Sequence, residues 1–454
     1  MSEWMNEYLH EVRTQIRWKR AHSVVLRELE CHLQDQYEAY RADGMTRSEA
    51  EQETLRQMGD PVSVGKALNL VHRPKIAWEV LASMAVLLIG SLCLWTFVFY
   101  KVSDWSLNHW LWTPLWATLL GGGLCVLISR VDMNALSKRA WLIYGACLLI
   151  MGGAVLYSVV FLIGGVVGGV NYLGYYAGTL LPVAYGCAVY ALRNRGGKGL
   201  VFCIAALLPL IVLTWLTHSL WVLVCLSVSA LAMLLTANRM GCFGESKRKN
   251  VGIIIGASLS SVLVYLFAAS DKLLRAFFPL GDSMESNFMG QYVQGLLRHS
   301  RPFGPGEAFS VAAVPFPVSP DKSRFLLDDV LSTEYLLAGV AYLCGWVTAL
   351  VLLLAMIVFL VLLLRQIMKQ KTFWGRLIAL AVVIPLLVHT TGYILMNLGL
   401  PMSSFRLPLL SYGGKFRVMD LMLLGLLFAA IRSKTIMRDD WEIDIDNKIL
   451  TSAK

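Results

Sequence analysis

Charged side chains are scarce in this chain of 454 residues, where Asp, Glu, Lys and Arg together make up 15% and hydrophobic residues 57%. A soluble globular domain usually contains about 25% charged residues. The low charge content and a mean hydropathy of +0.60 therefore exclude the soluble globular class. The composition predicts an integral membrane protein.

The patterns of a disulfide framework, a zinc site and a secretory leader are also missing. The nine cysteines are scattered, mostly inside apolar runs, without a CxxC pair or a zinc-like His and Cys spacing. We expect them to be small hydrophobic core residues. The first 75 residues are polar and lack a short apolar core followed by a small-residue cleavage site, so we expect no removable signal peptide.

The excess of positive charge has two readings. A formal net charge of +10 is compatible with nucleic-acid binding. The Lys and Arg residues, however, cluster in short connectors between apolar runs, where the positive-inside rule places cytoplasmic loops. Membrane topology therefore explains the charge, and we expect no nucleic-acid partner.

Ten apolar runs after Ile76 are each about long enough to cross a hydrocarbon core of ~30 Å. The predicted fold class is all-α, a polytopic membrane protein with about ten transmembrane helices. Because connectors rich in Lys and Arg alternate with connectors poor in them, both termini are predicted to be cytoplasmic. The runs cover residues 77–100, 110–129, 140–164, 173–192, 199–217, 219–237, 251–270, 335–364, 377–398 and 416–432.

The polar segment 1–75 has the pattern of a small helical domain. Apolar residues recur at three- and four-residue steps in Val24–Arg41, which predicts an amphipathic helix. Thr46 and Glu49 form a capping box for a second helix. Asp60 and Pro61 are suited to the N-cap and first position of a third.

The run from Leu26 to Pro74, with its LRELE pattern, GDP turn and closing HRP, resembles the helical HAAS module found before bacterial membrane domains. The resemblance implies a cytoplasmic protein-interaction or regulatory module. A soluble cap without a partner is the alternative. The predicted domains are the module 1–75, the membrane domain 76–432 with a long extracellular loop 271–333, and a cytoplasmic tail 433–454.

The stretch Leu400–Arg417, LPMSSFRLPLLSYGGKFR, interrupts two apolar segments with prolines, adjacent glycines and basic residues. Pro and Gly break a helix, and non-helical backbone near a bilayer is tolerated where protein or a water-filled cavity satisfies its polar groups. The stretch is predicted to line a site, and an ordinary loop between two spans is the alternative.

Leu400–Gly414 resembles the motif LPxTGxPLPFxSYGG of the SEDS family, the FtsW, RodA and SpoVE type of membrane protein. Ser404 replaces the family's Gly, and Arg406 its middle Pro. Three upstream segments are also similar to family motifs: Trp374–Ala379 to FGxLLA, Ser332–Leu336 to HTDFIF, and Ser300–Gly306, more weakly, to SGGLFGxG.

The resemblance implies ten transmembrane helices and a glycosyltransferase that polymerises lipid II at the outer face of a bacterial plasma membrane, in division, shape or sporulation. It also implies a partner transpeptidase with one span. The family's essential Asp falls on Glu334, which implies a general base. The alternative is a solvated charge near a helix N-terminus, where the dipole favours an acid.

The leaving diphosphate of such a reaction needs cations and hydrogen-bond donors. For any single basic residue, the alternative to binding the diphosphate is snorkelling towards lipid headgroups. For Asp420, the alternative to a role in the site is an i,i+3 ion pair with Arg417. Asp328 and Asp329 are interpreted as exposed loop acids or as ligands of a divalent cation, a candidate cofactor of the reaction. The predicted substrate-binding residues are Arg324, Arg406, Ser411, Tyr412, Gly413, Gly414, Lys415, Arg417 and Asp420.

Two further family elements are missing, so whether the chain is an enzyme is left open. The family's NGAxRWI…QPSE element is represented only by Asn171–Gly174 and Leu181–Ala184, and its QPDLGT element by Thr217–Leu220. These departures favour a second hypothesis, a non-catalytic scaffold or regulator of cell-wall synthesis. A third hypothesis is a transporter of the lipid precursor, which the discontinuous stretch near the last two spans also suits.

Overall fold

The computed structural model describes residues 3–102, 107–163, 172–216, 220–244, 246–268, 284–307, 335–400 and 405–437. Every secondary-structure element in these ranges is a helix, which confirms the all-α prediction. The chain divides into two compact units. One combines Met1–Ile76 with Ile431–Lys454, and the other is Ala77–Ala430.

Four α-helices lie in the described N-terminal part of the first unit, and the helix starts predicted at Thr46 and Asp60 are confirmed. The Thr46 side chain accepts a hydrogen bond from the Glu49 amide, and the Glu49 carboxylate accepts one from the Thr46 amide at 2.9 Å. The Asp60 carboxylate accepts from the Ser63 amide at 2.9 Å. The helices are α1 (Glu3–Gln15), α2 (His22–Ala42), α3 (Arg47–Met58) and α4 (Pro61–His72).

The core of this unit is built by both ends of the chain. Apolar side chains at the helical spacing of α1 and α2, among them Val12 and Leu33, are fully buried. Ile436, just past the last helix, is 2% exposed and belongs to the same cluster. The N-terminal module thus holds the segment that follows the last helix. Residues 438–454 of the predicted tail lie outside the described residues.

The second unit contains the long apolar helices. Each of the ten predicted spans coincides with one helix or with a pair of consecutive helices. The described helices are α5 (Trp78–Val102), α6 (Leu107–Ile128), α7 (Met133–Lys138), α8 (Ala140–Ile163), α9 (Tyr172–Gly178), α10 (Leu181–Ala191), α11 (Gly196–Leu216), α12 (Leu220–Arg239), α13 (Lys247–Ala268), α14 (Met284–Arg298), α15 (Leu336–Cys344), α16 (Trp346–Met368), α17 (Phe373–Asn397) and α18 (Gly414–Ser433).

Six segments among the described residues are long and apolar enough to cross a membrane, which confirms the polytopic fold class, while the number of ten spans stays a prediction. They are Trp78–Val98, Ala140–Tyr157, Arg193–Leu216, Trp221–Arg239, Trp346–Met368 and Phe373–Asn397.

The eighth predicted span differs from its prediction because it is broken into α15 and α16 at Gly345. Gly345 has φ +99°, and a Cβ there would lie 2.4 Å from the Pro302 carbonyl oxygen. The carbonyl of Cys344, left open by the break, accepts a hydrogen bond from the Gly304 amide at 3.1 Å. The chain segment before the span therefore satisfies its interrupted backbone, as burial in a membrane protein requires.

Helix α17 is the central helix of the unit. It packs against α10, α12 and α16, and most of its residues are buried. Thr372 caps its start by accepting a hydrogen bond from the Gly375 amide at 3.3 Å. The turn after α17 carries the predicted site into the start of α18.

Candidate functional site

The described part of the turn before α18, residues 405–413, is called the SYGG turn after its motif. Hydrogen bonds to its backbone fix it to α5. The Leu410 carbonyl accepts from Trp95 Nε1 at 2.8 Å and from Ser91 Oγ at 3.3 Å. Within the turn, the Leu407 amide donates to Ser411 Oγ at 2.7 Å, and the Ser411 amide donates to the Leu407 carbonyl at 2.9 Å. Protein groups thus satisfy this non-helical backbone.

Leu409 and Gly413 have positive φ angles, and Gly414 packs closely against a neighbouring helix. Leu409 has φ +62°, a left-handed conformation that L side chains rarely adopt, and its amide lies 3.4 Å from Asp420 Oδ2. Gly413 has φ +136°. A Cβ at Gly414 would lie 3.2 Å from the Thr113 side chain on α6, closer than an ordinary van der Waals contact. The turn therefore approaches α6 closely.

Arg406 and Asp420 form a buried ion pair. Arg406 Nη2 lies 3.0 Å from Asp420 Oδ1, and the two side chains are 9% and 2% exposed. The guanidinium carbon lies 3.9 Å from the centre of the Phe416 ring, within cation–π range. Nε and Nη1 of Arg406 are buried without a hydrogen-bond partner in the described part of the chain.

Arg417 is buried as well, but it faces the first two helices of the unit. Its Nη2 donates to Ser91 Oγ, and its Nη1 lies 3.2 Å from Thr118 Oγ1 and 3.3 Å from the Pro114 carbonyl oxygen. The alternative role of Asp420, an i,i+3 ion pair with Arg417, is not among the salt bridges of the described residues. Asp420 instead pairs with Arg406, because the turn folds back over the start of α18.

Tyr412 and Lys415 lie on the more open side of the turn. The Tyr412 ring centre is 5.1 Å from the Trp95 ring. Burial raises the pKa of the Tyr412 hydroxyl, opposed by a hydrogen bond with Thr113, so the group is neutral. Lys415 is exposed, and its Nζ lies 5.5 Å from the centre of the Tyr176 ring.

An aromatic wall, absent from the sequence predictions, continues this surface into the unit. The Phe416 ring centre lies 4.4 Å from Tyr175, whose ring in turn lies 4.0 Å from Trp221. His389 follows, 4.4 Å from Trp221, and both its ring nitrogens are buried without a hydrogen-bond partner among the described residues. His389 is thus a buried packing residue of this wall.

The start of α15 is attached to α17 by two side chains that sequence reasoning also missed. The Leu336 amide donates to Tyr393 Oη at 2.8 Å, and the Ala338 amide donates to Asn397 Oδ1 at 3.1 Å. The first amides of a helix have no partner within the helix. Because Tyr393 and Asn397 are four residues apart on one face of α17, they supply two acceptors in register.

The structure brings together seven of the predicted site residues in the turn and the start of α18. They are Arg406, Ser411, Tyr412, Gly413, Gly414, Arg417 and Asp420, with Lys415 at the exposed edge. Glu334, Arg324, Asp328 and Asp329 lie outside the described residues. Within the described ranges no group of three His, Cys, Asp or Glu side chains is suited to a metal ion.

A comparison with known protein families matches the part of the chain that contains this turn and α18. Residues 325–436 match the model of the family FTSW_RODA_SPOVE, described as cell cycle protein. A comparison with curated proteins finds no match.

Solved structures resemble the chain over most of its length. One is a chain from a study of polymerization and crosslinking by a peptidoglycan synthase complex, which is 17% identical and has a TM-score of 0.55. The match covers 79% of this chain and 98% of that one. Another is a variant of the rod shape determining protein RodA from Thermus thermophilus, which is 16% identical with a TM-score of 0.47 and coverage of 79% and 97%. The first likeness shows a shared fold.

Proposed function

We propose that this chain, whose residues 325–436 match the model of the FtsW, RodA and SpoVE (SEDS) family, is a divergent SEDS-type peptidoglycan glycosyltransferase. Its proposed substrate is lipid II, the lipid-linked cell-wall precursor, polymerised at the outer face of a bacterial plasma membrane with both termini cytoplasmic. The process served is division, shape or sporulation.

The proposed reaction joins a sugar hydroxyl of one precursor to the anomeric carbon of another. As the new C–O bond forms, the bond to the lipid diphosphate breaks, and the hydroxyl proton passes to a base. Glu334 is the proposed base. The diphosphate leaves with the negative charge, which cations and hydrogen-bond donors stabilise.

The observation that carries the proposal is the construction of the two segments that contain the family motifs. Leu336, two residues after Glu334 in the sequence, is anchored to α17 because its amide donates a hydrogen bond to the Tyr393 hydroxyl. The same helix leads directly into the turn with the SYGG motif, which α5 and α6 fix in place. The attachment of both motif-containing segments to α17 supports the proposal, because a catalytic base and its substrate need precise positioning.

The cations of the turn divide into two roles under this proposal. Lys415 is exposed and suits a direct contact with a diphosphate as a point charge. Arg406 retains two unpartnered nitrogens beside its ion pair, so it can donate to an anion that reaches the wall formed by Phe416 and His389. Arg417 is engaged by the first two helices and supports the turn from behind.

A partner transpeptidase with a single span remains part of the proposal, because a glycan polymerase alone makes no cross-links. The solved chain with the TM-score of 0.55 comes from a study of polymerization and crosslinking by a peptidoglycan synthase complex, and this supports the expectation of a partner. Co-purification from native membranes tests it. Recovery of the chain without any single-span transpeptidase contradicts it.

A non-catalytic scaffold is the second candidate, favoured by the missing QPSE and QPDLGT elements. A lipid-precursor transporter is the third. Purified protein incubated with lipid II separates all three, because only a polymerase makes glycan chains. A transporter moves labelled precursor across a proteoliposome membrane without joining it, and a scaffold does neither.

A further inference from the structure

The N-terminal unit carries an unbalanced positive surface that the proposed function does not use. Between Val12 and Arg27 the chain has five Arg or Lys residues and no Asp or Glu. All five are exposed, and none forms an ion pair in the part of the chain that the structure describes. In the same unit Arg47 and Arg56 pair with Glu51 and Glu53 at 3.2 and 2.7 Å.

Four of these cations flank a tightly packed corner between α1 and α2, which we call the basic corner. It consists of Arg13, Arg17, Lys19 and Arg20, with Trp18 between them. Trp18 packs against the core cluster of the unit, so it and the neighbouring buried Ile16 hold the corner in place.

The basic corner is joined to α4. The Arg17 amide donates to the Asn69 side-chain oxygen at 3.0 Å. Lys66 lies on α4 three residues before Asn69, on the same helical face, and Arg73 directly follows the last residue of α4; both are exposed. This adds two cations beside the corner.

The end of α4 also presents apolar side chains, since Leu70 and Val71 are 61% and 57% exposed. An exposed surface of cations with apolar residues and a tryptophan beside them is typical of a protein face that lies at a membrane interface.

The covalent chain limits how far this surface can lie from a membrane. Asn69 precedes Trp78, the first residue of the first membrane helix α5, by 78 − 69 = 9 residues. At about 3.5 Å per residue, the span cannot exceed about 30 Å, even when fully extended.

We propose that the basic corner binds the anionic phospholipid headgroups of the bilayer in which α5 is inserted. An anionic surface attracts Lys and Arg within a Debye length of about 8 Å at physiological salt, and the four cations of the corner would add their attractions. This proposal is independent of the proposed enzyme activity.

Amide hydrogen exchange of the full-length protein tests the proposal in two sets of nanodiscs, one of phosphatidylcholine alone and one with phosphatidylglycerol added. Peptides that cover residues 13–22 and 66–73 are expected to exchange about tenfold or more slowly in the anionic discs, and this protection should disappear in 0.5 M salt. Equal exchange in both lipids overturns the proposal. The same exchange measured in native membranes is the second comparison. Protection in native membranes without protection in the anionic discs also overturns the proposal, because it would indicate a protein partner.

Two triple variants complete the test. R17Q/K19Q/R20Q should lose the protection in anionic discs. R41Q/R47Q/R56Q removes three cations from α2 and α3, outside the basic corner, and should keep it. Protection that survives in the first variant, or is lost equally in both, contradicts a role for the basic corner.

Discussion

Arg406 and Asp420 form a buried ion pair, with Nη2 3.0 Å from Oδ1, although fourteen residues separate them in the chain. The pair closes the turn between the last two helices onto α18, and the Leu409 amide adds a contact with the same carboxylate at 3.4 Å. The conformation of the SYGG turn thus depends on a side chain, Arg406, that occupies a position where the family has proline.

Removing one member of this pair should destabilise the protein strongly. Asp420→Asn is expected to cost about 3–5 kcal/mol of unfolding free energy, because it leaves a buried guanidinium without its counter-ion. Thermal unfolding of the purified protein in detergent measures this loss.

An exposed ion pair provides the control for that change. Arg301 and Glu307 lie 3.5 Å apart with side chains 59% and 64% exposed. Arg301→Gln should therefore cost less than about 1 kcal/mol. A double variant, Arg406→Leu with Asp420→Leu, should lose less than the sum of the two single changes. Additive losses, or equal effects of Asp420→Asn and Arg301→Gln, contradict the importance of the buried pair.

The break in the eighth span should depend on glycine. Gly345→Ala is expected to cost at least about 2 kcal/mol, because alanine is strained at φ +99° and its Cβ would lie 2.4 Å from the Pro302 carbonyl oxygen. Gly256→Ala in α13 is the matched control, since nothing lies within 4 Å of its added Cβ and alanine favours a helix by about 0.5–1 kcal/mol. Similar unfolding temperatures for the two variants would show that the break is not a constraint.

Tyr393 should contribute to activity as well as to stability. Tyr393→Phe leaves the Leu336 amide without its acceptor at 2.8 Å, which is expected to cost about 1–3 kcal/mol. It should also lower the rate of glycan polymerisation, because the start of α15 next to Glu334 loses an anchor.

Tyr144→Phe separates these two effects. It removes a 2.7 Å hydrogen bond to the Ala206 carbonyl, between α8 and α11, far from the site in sequence. It should reduce stability by a similar amount and leave the polymerisation rate, measured well below the unfolding temperature, unchanged. If both variants lose activity equally, Tyr393 acts through stability alone.

The part of the fold that the sequence predicts correctly is the part set by local rules. The capping box of Thr46 and Glu49 and the Asp60 N-cap depend on residues three positions apart, so composition and spacing suffice. The apolar runs likewise depend only on the length needed to cross a bilayer.

The long-range contacts of the site could not be predicted in this way. The i,i+3 rule favours Arg417 as the partner of Asp420, but the turn brings Arg406 to the carboxylate and gives Arg417 to Ser91. The Tyr393 hydroxyl likewise reaches an amide 57 residues away. Local spacing holds no information about such contacts, which depend on how the helices pack.

The rate at which purified protein forms glycan chains from lipid II tests the central claim most directly. We predict that Glu334→Gln, which keeps the shape of the side chain but cannot accept the proton, lowers this rate by at least about 100-fold without changing the unfolding temperature. Glu334→Asp, which retains the base, should keep more activity than Glu334→Gln. Wild-type rates in the Glu334→Gln variant, or no glycan chains from the wild-type protein, would contradict the account.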